Sequence, residues 1–125
     1  MSTPSRIKKL QQQRQVLMTE LLKTQAMIRG SFGTAYRKCG HSNCWCAHGD
    51  GHPVDRINFS DEGRSRTKAV KAADVQWAKQ MTENYKQFRK NRQALRALDK
   101  KINLAIDELE AKLVDRTARQ RNYEI

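Results

Sequence analysis

The sequence predicts a mainly α fold, a helical hairpin or coiled coil with a small antiparallel β unit inserted at its tip. Three observations predict it. Two stretches carry apolar residues at three- and four-residue spacings with no internal Gly, the mark of a helix with one buried stripe. Between them the period falls to two. All three cysteines and all three histidines of the 125 residues lie inside that middle stretch, within CGHSNCWCAHGDGH, residues 39–52. The chain divides accordingly into a first coiled-coil helix over 1–29, a Cys/His-rich β tip over 30–71, a long second helix over 72–116 and a tail over 117–125.

The first helix opens at Thr3-Pro4, with Thr3 as the N-cap and Pro4 at the first helical position, where a missing N–H costs nothing. Ile7, Leu10, Leu17, Leu21 and Ile28 form one stripe, interrupted by Arg14 and Thr24. Gly30 ends it, as an αL residue after a helix commonly does. In the middle segment, Phe32, Thr34 and Tyr36 alternate with Gly33, Ala35 and Arg37, and Ile57 and Phe59 belong to a second short run. Asp61-Glu62-Gly63 is a turn signal, after which Arg64, Arg66 and Lys68 share one side of a strand.

In the long helix, Met81, Phe88, Leu95, Ile102 and Leu109 are each seven apart. A second row runs Ala78, Tyr85, Arg92, Asp99, Ile106, Leu113, and its two charged members weaken the middle of the seam. Trp77, Tyr85 and Phe88 read as core. If the first helix pairs antiparallel with residues 72–98, then Ile102, Ile106, Leu109 and Leu113 are left for a second copy of the chain, and the protein is a homodimer. The alternatives are that the first helix slides further down and covers them itself, or that this segment frays.

Lys and Arg number 25 against 13 Asp and Glu, a net charge of +12. That balance favours a polyanionic partner, DNA or RNA. It is unevenly spread: net +5 over 1–29, +3 over 30–71, +4 over 72–98 and zero over 99–125. The neutral end suits pairing, the basic remainder a polyanion. No stretch approaches the ~20 apolar residues of a membrane-spanning helix, and no signal peptide opens the chain, so a cytoplasmic protein with no membrane partner is expected. In a reducing compartment, three clustered cysteines point to metal ligands or redox thiols rather than to a disulfide framework.

Zinc takes four ligands in a tetrahedron, commonly Cys thiolates completed by His. Cys39, Cys44 and Cys46 supply three, and His52 or His48 the fourth. A small β unit with few apolar side chains needs such a staple, and structural zinc couples directly to folding. No carboxylate pair, nucleophile motif or phosphate-cradling Gly loop accompanies the cluster, so the expectation is no enzyme. Trp45, between two ligands, is either a lid on the metal or a platform for a base. Arg37, Lys38, Arg64, Arg66 and Lys68 are the cations placed to track phosphates, with Lys86, Arg89, Lys90, Arg92 and Arg96 continuing down the helix.

The order of parts resembles a family of small bacterial proteins of unknown function, often encoded near transposable elements. The likeness covers residues 28–98, and its most specific part is Tyr36-Arg37-x-Cys39-Gly40-x3-Cys44-x-Cys46-x5-His52. The resemblance implies His52 as the fourth ligand and a mobile-element or phage setting. The chain departs from the family pattern over Val54–Phe59, which is less aromatic. The resulting expectation is a non-enzymatic, zinc-stabilised nucleic-acid-binding accessory factor of such a system. Its rival is a coiled-coil adaptor whose zinc tip docks a protein partner such as a transposase or nuclease.

Overall fold

The structure is a computed structural model and describes residues 2–124. Its elements run α1 (Thr3–Leu21), β1 (Ser31–Arg37), a short 3-10 turn (Trp45–His48), β2 (His52–Asp61), β3 (Arg64–Ala69), a second 3-10 turn (Ala72–Asp74) and α2 (Val75–Gln120). They form two compact units, one of residues 1–24 with 89–125, the other of residues 25–88.

This is not a helical hairpin with a β unit at its tip, and the finding that overturns that expectation is where α1 ends. The helix stops at Leu21, well short of Gly30. Residues 22–30 leave it because their backbone has better partners elsewhere: the Ile28 N–H donates to Met81 O at 3.1 Å and the Asn84 side chain donates to Ala26 O at 3.0 Å. Tertiary hydrogen bonds override a helix-permissive sequence here. The sheet thus shares its compact unit with the first fourteen residues of α2.

In the unit of residues 25–88, the sheet order is β1-β2-β3, antiparallel throughout. Asp61 pairs with Arg64 across a two-residue loop in which Glu62 and Gly63 have φ 50° and 77°. Two successive positive φ values make the hairpin turn whose twist matches that of the strands. The register sets two faces. One carries Phe32, Ile57 and Phe59, with Ile57 buried and Lys79 of α2 lying 5.3 Å from the Phe32 ring centre. The other carries Arg37, Val54, Arg56, Asn58 and Thr67, none of them buried. On α2, Ala78 and Thr82 complete the small core, while Trp77, expected in it, is 55% exposed.

In the other unit, the N-cap is Ser2, whose hydroxyl accepts from Ser5 N at 3.2 Å. Thr3 is buried instead and receives Lys112 Nζ at 2.8 Å. The α1 stripe continues through Ile7, Leu10, Arg14, Leu17 and Leu21, all half-buried. Arg14 Nε donates to Asp99 Oδ1 at 2.7 Å, and Arg6 pairs with Glu108. Numbers rise along α1 as they fall along α2, so the two are antiparallel, but over residues 99–112 rather than 72–98. The buried positions of this part of α2 are Leu98 and Ala105, three residues after Leu95 and Ile102, rather than the row containing Asp99 and Ile106. Ile102 and Leu109, reserved for a second copy, are therefore half-buried within this unit, whereas Ile106 and Leu113 remain 46% and 42% exposed. No helix among the described residues is long and apolar enough to cross a membrane.

Candidate metal centre

The loop between β1 and β2, residues 38–51, would be long and unsupported were its ends not adjacent in the sheet, where Arg37 pairs with His52. Gly51 makes the closure possible. It has φ 105°, and a Cβ there would lie 2.6 Å from the Arg37 carbonyl carbon. Only glycine fits both the backbone angle and that approach. The loop then winds through two tight turns, with Cys44 N donating to His41 O at 3.2 Å and Ala47 N to Cys44 O at 3.1 Å.

This winding gathers Cys39, Cys44, Cys46 and His52, whose ligand atoms all lie within 4.8 Å of one another. Cys39 Sγ is 3.4 Å from Cys46 Sγ, and Cys44 Sγ is 3.2 Å from His52 Nε2. A tetrahedral zinc with Zn–S of about 2.3 Å and Zn–N of about 2.0 Å requires S···S edges of roughly 3.8 Å and S···N edges of roughly 3.5 Å. The donors need to move by only a few tenths of an ångström along these two edges, so the residues fit such an ion. His52 is the histidine of the cluster; His41 and His48 lie outside it and are exposed.

The surroundings prepare the thiols unequally. The Cys39 thiol is lowered from the ordinary 9.0 to about 6, first by the backbone N–H of His41, then by hydrogen bonds with Cys46 and His52. At neutral pH it offers the thiolate, which is the ligating form. For Cys46, the backbone N–H of Cys39, at 3.4 Å from its sulfur, favours the thiolate. Burial and the thiols of Cys39 and Cys44 outweigh that donor, and the net shift is upward. Cys46 is fully buried, the anchor of the loop, while Cys39 is exposed. A metal cation would favour the thiolate at Cys46.

Trp45 sets the edge of its ring against His52, with ring centres 5.0 Å apart and planes at 67°, yet stays 63% exposed. It braces the histidine without closing over the site. Of the cations singled out in the sequence, Lys38 Nζ reaches Ala47 O at 3.5 Å and so lies along the metal loop. Arg64, Arg66 and Lys68 share the Phe59 and Ile57 face at the exposed edge strand, and Arg66 pairs with Asp61 at 3.3 Å. Arg37 is on the opposite face. The register therefore separates Arg37 from the β3 row. Arg56, which sequence alternation alone did not single out, lies on the same face as Arg37.

No curated protein and no solved structure matches this chain. A family model does match, over residues 7–80, which include most of α1, the whole sheet and all four clustered ligands. The chain belongs to the family described as Domain of unknown function (DUF6788).

Proposed function

We propose that this chain is a non-enzymatic nucleic-acid-binding protein whose β unit is folded by one Zn2+ held by Cys39, Cys44, Cys46 and His52. The observation that carries the reading is the four-donor cluster, mounted on a unit with few buried side chains. Such a unit needs a staple, and a Cys3His set that converges on one point supplies it. The ion's chemistry is structural: it ties the loop to the start of β2. The polyanion half of the reading is supported by the net charge of +12 and by the exposure of Arg37, Arg64, Arg66 and Lys68. A mobile-element or phage setting belongs to the same reading and draws on the family resemblance alone.

The test is fluorescence anisotropy of the zinc-loaded chain against duplex DNA, single-stranded DNA and structured RNA, each titrated with salt. The reading expects tight binding to at least one, with affinity falling steeply on a log–log salt plot. Weak, equal binding that vanishes near physiological salt would contradict it. The adaptor reading is favoured by one observation, the exposure of Trp45 beside the ligands. It expects Trp45→Ala to abolish capture of a protein partner while the chain binds no nucleic acid. Self-association through α2 falls to Ile106 and Leu113, the two exposed members of the four residues reserved for it.

A further inference from the structure

We propose that the open face of the sheet, centred on Arg56, binds the backbone of a single-stranded nucleic acid, with one base stacked on Trp45. The inference rests on the nucleic-acid reading above and names its surface and ligand. Arg56 occupies the central strand, half-buried, and its cross-strand partners are Gly33 on one side and Ala69 on the other. Two of the smallest residues thus flank a long cation, and neither cross-strand neighbour covers it with a side chain longer than a methyl group. Hollows of about 520 and 450 Å³ lie to either side; both are lined by Arg56 and Thr67, and no helical residue contributes to either.

Charge on the sheet is sorted by face. Its carboxylates, Asp55 and Asp61, belong to the Ile57 face, where Asp55 accepts from Thr34 Oγ1 at 2.8 Å and Asp61 pairs with Arg66. Strand positions on the Arg56 face hold Arg37, Arg56, Asn58, hydroxyl side chains and small apolar residues, with no carboxylate. Neither arginine has an ion-pair partner among the described residues. Thr67 Oγ1 donates to Asn58 Oδ1 at 3.1 Å, which leaves the Asn58 amide N–H groups as further donors. A face with cations and neutral donors and no carboxylate is complementary to phosphodiester oxygens.

Single-strandedness follows from the aromatic. His52 begins β2 on this same face, and Trp45 abuts its ring while remaining largely exposed. An indole offered at the end of a cationic track stacks an unpaired base, and a paired base is not available to it. Tyr36 and Phe59, whose strand positions belong to the other face, also line the two hollows, but Trp45 is the aromatic at the end of the cationic track, and the contacts along the track are to backbone, which makes recognition indifferent to sequence.

The experiment compares the zinc-loaded full chain with Arg56→Gln, Arg56→Lys, Trp45→Ala and the pair Arg64→Ala/Arg66→Ala, using labelled oligothymidylate and a duplex of equal length. Circular dichroism and metal content confirm that each variant is folded. Expected are preference for the single strand, at least tenfold weaker binding for Arg56→Gln, and a salt slope shallower by about 0.7, the value of one lost contact on a single strand. Arg56→Lys should retain most of the slope, and Trp45→Ala should lose roughly fivefold or more in affinity with the slope unchanged. If the wild type binds nucleic acid but Arg56→Gln matches it, or the duplex is preferred, the open-face assignment is overturned and the broader reading stands. If the wild type binds neither probe nor structured RNA, both fall together.

Discussion

At the scale of single residues, the metal cluster was legible because its ligands are local: thirteen positions separate Cys39 from His52, and no long-range packing is needed to guess that they meet. Residue spacing left His52 and His48 open; His52 joins the cluster because the strand that starts there holds it beside Cys44. His52→Ala should therefore lower zinc affinity by at least tenfold, while His48→Ala leaves it unchanged, as read by competition with a chromophoric chelator. Gly51→Ala sets a Cβ against the Arg37 backbone at a positive φ, and should destabilise the β unit by about 2 kcal/mol or more, seen as a lower urea midpoint of the sheet transition. Arg56 was not legible. Period-two alternation gives two faces to every strand, and only the contacts of Ile57 and Phe32 reveal which face is covered.

At the scale of elements, the strands, the hairpin turn and the α1 stripe follow from spacing, whereas the end of α1 and the seam of α2 do not. Residues 22–28 contain no Gly or Pro; the chain turns out of the helix at Thr24, with φ 53°, and the hydrogen bonds from Ile28 and Asn84 hold the backbone that follows. Arg14 and Asp99, which interrupt the two apolar rows, turn out to answer each other. Both are more than a third exposed, so the pair contributes little to stability, about 0–1 kcal/mol. Its value is in fixing register. Replacing both by Leu should raise the melting temperature of the helical signal, and a fall would contradict this account. Glu108 is held below its ordinary 4.5 by Lys112 first and then Arg6. A depressed carboxyl stabilises the folded state at pH values above 4.5, and that contribution is lost as pH falls through the lowered value. Acid titration followed by circular dichroism should show helix loss that is shallower in Glu108→Gln.

At the scale of the whole molecule, the division into two units predicts divided stability. All four candidate ligands lie in unit 25–88, and the unit of residues 1–24 with 89–125 has none of them, so the proposed metal would stabilise the first alone. Chelation should therefore abolish the dispersed amide signals of the strands while much of the helical ellipticity survives. Simultaneous loss of both would contradict independent units. The sequence overestimated the hairpin because heptad spacing reports that a helix has a buried side, not which segment lies against it. Leu113→Glu tests what remains of the pairing surface: if two copies associate through Ile106 and Leu113, sedimentation should show monomer for the variant and dimer for the wild type.

The central claim is that four residues close around one metal ion, and cobalt titration of the metal-free chain tests it most directly. The account predicts saturation at one equivalent, with the intense d–d absorption of a tetrahedral site and thiolate-to-metal charge transfer. Cys46→Ser should weaken both bands, and added oligonucleotide should leave them unperturbed. An octahedral spectrum, or binding that survives the loss of Cys46 unchanged, would contradict it.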